Sequence, residues 1–225
     1  MPENMPFSGL HEDKVRGLVA RAAMTALERM AYKLAVRQVP YSRLYAWIHS
    51  GQLDVAVAVL NSGDRGTQAH YSKPIVVEYT VILVPKGKPF RFNRAEDLVD
   101  RRVGAQPGFL YPGLDHLNLP LVRERNLAAS ITNLAEGHLE GTLVGSITGA
   151  YAADQLGVAH RLETLPHASE AIPLGVAFSK SAFVPADVRA FEAVMTNLQA
   201  GPEWQPLLAE SSAKPYIRDW PLIGR

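Results

Sequence analysis

The chain has 225 residues, of which 47% are hydrophobic and 20% charged, a balance typical of a folded globular protein and not of a disordered one. Its 23 basic and 22 acidic residues leave a formal net charge of +1, which argues against a protein that binds nucleic acid or an anionic membrane surface. The sequence contains no cysteine, so disulfides, cysteine-ligated zinc, thiol nucleophiles and iron–sulfur clusters are excluded.

The first part of the chain shows alternating helix and strand patterns. Apolar side chains three and four residues apart predict an amphipathic helix over 12–30, and alternating apolar and polar residues predict a strand over 32–36. Ser42 is a favourable N-cap for a short helix over 42–50, and the nearly continuous apolar run 53–60 is typical of a strand buried on both faces. Helices and strands that alternate with short connections predict a parallel α/β sheet.

The rest of the chain continues this pattern without tandem repeats or low-complexity segments. No feature marks a new core near the end of the chain, so the sequence predicts two α/β units, with the second inserted into the first. The remaining predicted strands cover 75–84, 102–106, 143–144 and 175–178. The remaining predicted helices cover 93–99, 148–156 and 185–200, and a short one begins directly after Asn133. Asn93 is the predicted N-cap of the first of these helices.

The sequence shows no segment typical of a membrane span or a signal peptide. Apolar runs such as 55–60 and 81–85 are far shorter than the about 20 residues that a transmembrane helix needs. The polar start Met1-Pro2-Glu3-Asn4 lacks the apolar core of a secretion signal. We therefore expect either a cytoplasmic protein or the mature or trimmed form of an exported one.

Short motifs follow one another in a fixed order along nearly the whole chain. They are Met5-Pro6-Phe7; Val39 to Leu44 with the run from Ser50 to Val55; Asp64-Arg65 with Pro74; Ala95 to Leu98 with Arg102 to Gly108; and Leu174 to Lys180. In this order and spacing they resemble the motifs of the family 3 extracellular solute-binding proteins, the polar amino-acid receptors of bacterial uptake transporters.

The resemblance implies an α/β fold of two lobes, the type 2 periplasmic-binding-protein-like fold, in which each lobe is a mixed sheet flanked by helices. Lobe 1 would comprise residues 1–75 and 175–225, and the inserted lobe 2 residues 79–172, with hinge strands at 75–79 and 172–175. The ligand would bind in the cleft between the lobes. The opening strand of lobe 1 is short against the family pattern, which favours a chain whose N-terminal part has been removed.

In lobe 1 the resemblance assigns ligand binding to four residues. Arg65 matches the family arginine that holds the ligand carboxylate, and a guanidinium suits this role because its planar fork makes bidentate, charge-assisted hydrogen bonds. Ser62 would add a hydroxyl or a backbone N–H. Tyr41 matches an aromatic residue that stacks on the ligand, and Asn4 matches a further aromatic or polar contact.

In lobe 2 the resemblance points to a loop that follows a predicted strand. Gln106, Gly108 and Phe109 would complete the carboxylate site there with backbone N–H groups and a polar side chain. Tyr111 follows in the same loop, where an exposed tyrosine is expected. Ser146 would offer a hydroxyl from a second strand end.

One departure from the family pattern bears on the ligand. Members that bind α-amino acids carry an aspartate for the ligand ammonium in the stretch corresponding to residues 145–149, and this chain has none there. Closing a cleft over an ammonium without a carboxylate would bury a poorly compensated charge. Three alternatives follow: the ligand is a carboxylate without an amino group, another acid such as Glu3 or Glu78 substitutes, or the site has degenerated.

These features together predict a periplasmic solute-binding protein that binds a small carboxylate-bearing metabolite, amino acid-like or an organic acid, for an ABC-type transporter. The expected partners are that ligand and a membrane transporter or receptor, without nucleic acid. The protein is expected to be a monomer that needs no cofactor.

Two other functions stay open at this point. One is the ligand-sensing domain of a membrane receptor. The other is an enzyme of the same fold, similar to the dehydratases that act on cyclic carboxylic acids, with Asp64 and His70 on either side of Arg65. A metal site is not expected, because the seven histidines are scattered and none belongs to a zincin motif.

Overall fold

The computed structural model describes residues 1–60, 68–217 and 221–223. In chain order the strands and α-helices of these residues are β1 (Gly9–His11), β2 (Lys14–Arg16), α1 (Leu18–Arg29), α2 (Tyr41–His49), β3 (Val55–Leu60), β4 (Ala69–Tyr71), β5 (Val76–Pro85), β6 (Val103–Ala105), β7 (Val122–Arg123), α3 (Leu127–Ala135), β8 (Gly141–Gly145), α4 (Ser146–Gln155), β9 (Leu162–Thr164), β10 (Ala171–Ser179), α5 (Pro185–Ala200) and α6 (Trp204–Glu210). Short 3₁₀ helices cover Ala95–Leu98, Asp115–Leu117, Ala159–Arg161 and Lys214–Tyr216.

The chain divides into two units. Met1–Val77 and Pro173–Pro215 form the first unit, and Glu78–Ile172 and Tyr216–Arg225 form the second. The chain therefore starts the first unit, builds most of the second, returns to finish the first and ends in the second.

β10 joins the strands of the first unit. It runs antiparallel to β3, with Leu174 opposite Leu60 and Phe178 opposite Val55, and it also pairs antiparallel with β4. β3 is apolar throughout and almost entirely buried, as its sequence predicts. The expected parallel pairing is wrong for β3, because its described neighbour is β10, which returns from the second unit in the opposite direction.

The helices of the first unit pack with their apolar faces inward. α1 buries one stripe of side chains and packs against β3, α5 and α6. α2 contributes Leu44, Tyr45 and Ile48 to a core that it shares with β3 and β10. α5 spans the predicted range and begins at Pro185, because the first turn of a helix does not need the N–H that proline lacks.

β5 is the longest strand described in the second unit. It pairs antiparallel with β8, with Ile82 opposite Leu143, and antiparallel with β9, while β6 lies parallel to both β8 and β7. Successive side chains of a strand point to opposite faces. Ile82 and Val84 accordingly enter one core, and Val81 and Leu83 enter another. The second unit is thus a mixed sheet with an apolar layer on each face.

The helix predicted over 12–30 is shorter in the structure. β1 and β2 form a hairpin whose turn residues Glu12 and Asp13 have left-handed φ values of 49° and 58°. α1 begins only after Gly17, whose φ is 93°. A Cβ at Gly17 would lie 2.4 Å from the carbonyl carbon of Phe7, so this close approach requires glycine.

The predicted starts of three helices are displaced. α2 already includes Ser42, the expected cap. Asn133 lies inside α3, which is capped by the Asn126 side chain. The cap position of the first 3₁₀ helix is Arg94, one residue after Asn93. Serine and asparagine favour caps in general, but tertiary packing decides between neighbouring candidates.

The strand predicted over 32–36 is not formed. This segment has no regular secondary structure, and within the described part of the chain it joins no sheet. Tyr32 and Val36 are 38% and 36% exposed, although both are apolar enough for a buried strand. The sequence pattern is that of a strand, but no strand among the described residues pairs with it.

The described C-terminal residues belong to the second unit. The Ala168 N–H donates to the Pro221 carbonyl and the Ile223 N–H donates to the Ala168 carbonyl, both at 2.8 Å. The prediction that residues 175–225 all belong to lobe 1 is wrong for this segment, because no local pattern marks a chain end that returns to the inserted unit. The other predicted lobe and hinge limits stay predictions.

Candidate functional site

Arg65 and Ser62, the predicted carboxylate-binding residues, lie outside the described residues, as does Asp64. They belong to the stretch of the first unit between β3 and β4. Their roles stay predictions. The structure does describe the end of β3 that precedes them.

Two tyrosines on α2 form a chain of hydroxyl groups to the end of β3. Tyr41 and Tyr45 are four residues apart and share one face of the helix, and their hydroxyl oxygens are 3.1 Å apart. The Tyr45 hydroxyl donates to the Leu60 carbonyl at 3.1 Å and accepts the Leu60 N–H at 3.2 Å. Tyr41 therefore lies near the carboxyl end of β3, the end of a strand where α/β proteins place binding loops. Its stacking on a ligand stays a prediction.

Replacing Tyr45 with phenylalanine is expected to lower the free energy of unfolding by about 1 to 3 kcal/mol, because the buried backbone of Leu60 loses this partner. Tyr41→Phe removes a hydroxyl from a half-buried side chain and is expected to cost less than about 1 kcal/mol. Urea denaturation followed by circular dichroism measures both losses. Equal losses for the two variants would show that the Leu60 contact does not stabilise the unit.

Asn4 is buried in the first unit and belongs to a tight turn. Its carbonyl accepts the N–H groups of Phe7 and Ser8 at 2.9 and 3.1 Å, and its own N–H donates to the Ser8 carbonyl at 2.7 Å. These bonds give its backbone a structural role. The predicted contact of its side chain with a ligand stays a prediction.

In the second unit, the loop after β6 contains Gln106, Gly108 and Phe109. The Gln106 N–H donates to the Tyr111 hydroxyl at 2.8 Å, and the Gln106 carbonyl accepts from the Arg123 guanidinium at 2.9 Å. Gly108 has a φ of 76°, which favours glycine, and Phe109 packs against the core beside β6. The loop is thus held by its backbone, and the N–H of Gln106 already has a protein partner.

Tyr111 is a core residue and not the expected exposed loop tyrosine. It is 2% exposed, and burial raises its pKa to about 12. The Arg123 guanidinium carbon lies 5.9 Å from the centroid of its ring. The Tyr111 hydroxyl therefore positions the loop from inside the unit.

Ser146 is the first residue of α4 and is almost completely buried. Its hydroxyl oxygen accepts the Tyr79 N–H at 3.1 Å, which ties the start of α4 to β5. The predicted hydroxyl at a strand end is therefore present, with a structural partner. Its contact with a ligand stays a prediction.

Glu78 on β5 places its carboxylate at the N-terminus of α4. Its Oε2 accepts the Ile147 N–H at 3.2 Å, the Thr148 N–H at 3.1 Å and the Thr148 hydroxyl at 3.2 Å. Glu78 is 4% exposed, and this burial raises its pKa from 4.5 to about 7, against the opposing effect of the hydrogen bonds. A helix N-terminus attracts anions. In this protein the Glu78 side chain occupies that position and accepts the N–H groups.

Gly145 provides the room for this carboxylate. Its φ of −70° and ψ of 141° are open to any residue. A Cβ at this position, however, would lie 2.2 Å from the Glu78 Oε2 and 2.4 Å from its Oε1. Glycine is therefore required by the close approach of Glu78 and not by the backbone conformation.

The polar groups described in the two units act through hydrogen bonds. Within residues 1–60, 68–217 and 221–223, no three acidic or histidine side chains gather in a way that would hold a metal ion. In the same residues no helix combines the length and the apolar character needed to cross a bilayer. The described groups are hydroxyls, backbone amides, the Arg123 guanidinium and the buried carboxylate of Glu78.

Residues 1–210 match the family model of the bacterial extracellular solute-binding proteins, family 3. The chain belongs to this family. The resemblance carried by its five motifs is confirmed, and with it the expectation of an amino-acid-binding-protein-like solute-binding protein. The family is extracellular and is defined by the binding of solutes.

Solved structures share the mixed α/β, type 2 periplasmic-binding-protein fold. A histidine kinase sensor domain with similarity to periplasmic binding proteins has a TM-score of 0.78 at 19% identity, over 93% of this chain and 92% of that one. EhuB in complex with hydroxyectoine has a TM-score of 0.79 at 18% identity, over 97% and 86%. A mutant of ArgBP from T. maritima has a TM-score of 0.76 at 20% identity, over 90% and 88%. These likenesses confirm the predicted fold class. Among curated proteins, none matches this chain.

Two structural roles were not predicted from the sequence. The signal for Tyr45 was available, because it stands four residues after Tyr41 on a predicted helix. Thr148 gave no local signal, since its partner Glu78 is 70 residues away in the chain. The sequence suggests Glu78 only as a substitute partner for a ligand ammonium and not as a partner of α4.

Proposed function

We propose that this protein is a periplasmic solute-binding protein that captures a small carboxylate-bearing metabolite, as a monomer, for an ABC-type transporter. The family match over residues 1–210 carries this proposal. It is supported by relatives of the same fold described as an ancestral arginine-binding protein bound to arginine and as the substrate binding protein of an amino acid ABC transporter.

The proposed anchor for the ligand carboxylate is Arg65, assisted by Ser62 and by stacking on Tyr41. The ring of Tyr41 lies at 5.7 Å from that of Tyr45, centroid to centroid, so its position is supported from within the first unit. Asn4 is the further contact proposed in this unit. A guanidinium binds a carboxylate through two parallel hydrogen bonds, which supports an anionic ligand group.

In the second unit, the proposed ligand contacts are Gln106, Gly108, Phe109 and Ser146. Because the Gln106 N–H donates to Tyr111, we propose that Gln106 acts through its side chain. The Ser146 oxygen accepts the Tyr79 N–H, so its contribution to a ligand would be the hydroxyl proton.

We propose that the ligand carries a carboxylate but no α-ammonium group. The residues 145–149 contain no acid. The substitutes considered from the sequence already have partners, since Glu78 accepts from α4 and Glu3 accepts from the Gln38 side chain at 2.8 Å. Burial raises the pKa of both carboxyls, so it disfavours the charged form that would pair with an ammonium.

A thermal-shift comparison of matched pairs tests this function. Each pair consists of an α-amino acid and the acid of the same carbon skeleton without the amino group. We expect at least one plain acid to raise the melting temperature, since a ligand present at about 100 times its Kd stabilises by about 2.7 kcal/mol. Stabilisation by amino acids alone would contradict the proposed ligand class. Recovery of a chemically altered ligand would favour an enzyme instead.

Arg65→Ala is expected to abolish the ligand-induced rise in melting temperature, because the carboxylate loses its bidentate partner. Arg43→Ala is the matched control, since Arg43 is an exposed arginine of α2 in the same unit. A full shift in Arg65→Ala, or equal losses in both variants, would remove Arg65 from the site.

A second candidate is the sensing domain of a membrane receptor, which the similarity to a histidine kinase sensor domain favours. Fractionation of cells that express the protein from its natural gene distinguishes the two. A transporter's receptor is released by osmotic shock, whereas a sensor stays with the membrane fraction.

A further inference from the structure

The Glu78 carboxylate at the start of α4 uses only one of its two oxygens. Its Oε2 accepts the N–H groups of Ile147 and Thr148 and the hydroxyl of Thr148. Its Oε1 accepts no hydrogen bond from the residues that the structure describes. Because each carboxylate oxygen can accept up to two hydrogen bonds, Oε1 is an acceptor that still has capacity.

The Ser146 hydroxyl has a donor to offer next to this acceptor. Its oxygen accepts the Tyr79 N–H at 3.1 Å, and no described group accepts its proton. Ser146 directly follows Gly145, and a Cβ at Gly145 would lie 2.4 Å from the Glu78 Oε1. One acceptor and one donor therefore occupy adjoining positions at the start of α4.

Both groups lie at the edge of the second unit where the ligand contacts are proposed. β8 ends at Gly145, and β5 is antiparallel to β8 with Thr80 opposite Gly145, so the start of β5 meets the carboxyl end of β8. β6 is parallel to β8, so the loop after β6 begins at the same edge. Ligands of α/β proteins bind at the carboxyl ends of strands. Glu78 and Ser146 keep 4% and 6% of their surface accessible, so both are nearly buried but not sealed.

A hydroxyl is the solute group that satisfies both the acceptor and the donor. It can donate to the Glu78 Oε1 and accept from the Ser146 hydroxyl. An ammonium only donates and a keto oxygen only accepts, so each leaves one of the two protein groups without a partner, and a methylene group leaves both. An ammonium also needs a charged carboxylate, which the burial of Glu78 disfavours.

We propose that the solute is a 2-hydroxy carboxylate whose hydroxyl binds between the Glu78 Oε1 and the Ser146 hydroxyl. This inference rests on the proposed function, in which the solute has a carboxylate and Ser146 contacts it. The hydroxyl takes the place beside the carboxylate that the ammonium has in an α-amino acid. The lack of an acid in residues 145–149 fits this solute, because a neutral hydroxyl needs no opposite charge.

Matched compounds that differ only at the second carbon atom test this inference. For the carbon skeletons of alanine, leucine and phenylalanine, the amino acid is compared with the plain acid, the 2-oxo acid and both enantiomers of the 2-hydroxy acid. Isothermal titration calorimetry at pH 8 keeps Glu78 ionised, since burial raises its pKa to about 7. We expect a 2-hydroxy acid to bind at least about tenfold more tightly than the plain acid of its skeleton.

The same comparison separates this inference from the proposed function. Plain acids that bind as tightly as the 2-hydroxy acids would overturn the inference and leave the proposed function intact, and so would tighter binding of the 2-oxo acids. Tighter binding of the amino acids would overturn the inference and contradict the proposed ligand class as well. Failure of every compound to bind would overturn both.

Glu78→Gln exchanges the remaining acceptor for a donor. The N–H groups of Ile147 and Thr148 hold the amide oxygen, so the amide nitrogen takes the position of Oε1. This variant is expected to bind the 2-oxo acid more tightly than the 2-hydroxy acid, because a keto oxygen accepts from both the amide and Ser146. Glu96→Gln, at an exposed glutamate of the same unit, is expected to keep the natural order. An unchanged order in Glu78→Gln, or the same change in both variants, would overturn the inference.

Discussion

Glu78→Gln is expected to remove a fall in stability that the natural protein shows as pH rises from about 4.5 to about 7. Burial raises the pKa of Glu78 from 4.5 to about 7 in the folded state. Between these values the folded protein holds a proton that the unfolded chain has released, so stability declines with rising pH. The contribution is fully present below pH 4.5 and is lost as pH rises through 7, and its size is about 3 kcal/mol.

Urea unfolding at a series of pH values from 4 to 8 measures this effect as the difference between the natural protein and Glu78→Gln. Other titrating groups contribute to both proteins, so the difference isolates Glu78. Glu96→Gln, at an exposed glutamate of the same unit, serves as control and is expected to leave the pH profile parallel to that of the natural protein. A constant difference between the natural protein and Glu78→Gln across this pH range would contradict the assignment.

Gly145→Ala is expected to destabilise the protein by about 2 to 3 kcal/mol, a large effect for one added methyl group. The backbone of Gly145 suits alanine, so the cost does not come from conformation. It comes from the Glu78 carboxylate, which would lie 2.2 Å from the new Cβ. To relieve the contact, Glu78 must withdraw from the N–H groups of Ile147 and Thr148.

A double-mutant cycle with Glu78→Ala separates this cause from others. In the Glu78→Ala background the clash is absent, and Gly145→Ala is expected to cost less than about 1 kcal/mol. Chemical denaturation at pH 5 gives all four free energies. Additive losses would mean that Gly145 is needed for a reason other than Glu78.

Local sequence patterns predicted those elements whose apolar residues follow one regular pattern. The helix over 185–200 and the strands β3 and β5 are examples, because apolar patterns and a first-turn proline act within one element. The patterns failed where a single residue overrides periodicity. The left-handed residues Glu12 and Asp13 form a hairpin turn where apolar spacing alone predicts helix.

In the candidate site, too, some features were predictable from the sequence and others were not. Motif order and spacing were sufficient for the family, and Tyr41 lies at the end of a strand that the sequence predicts. The position of Glu78 was not predictable, because its partners at the start of α4 are about seventy residues away. Burial, which raises the pKa of this carboxyl, is likewise a property of the assembled unit and not of the neighbouring sequence.

The division of the chain into interleaved units bears on how the protein is made. During synthesis nearly all of Glu78–Ile172 leaves the ribosome before Pro173–Pro215, which the first unit needs for β10, α5 and α6. α1 packs against both of these helices, so it must wait for them after its own translation. Until then, of these neighbours only β3 can cover the apolar stripe of α1, so part of the stripe stays exposed while the ribosome adds more than a hundred further residues, and chaperones can bind it there.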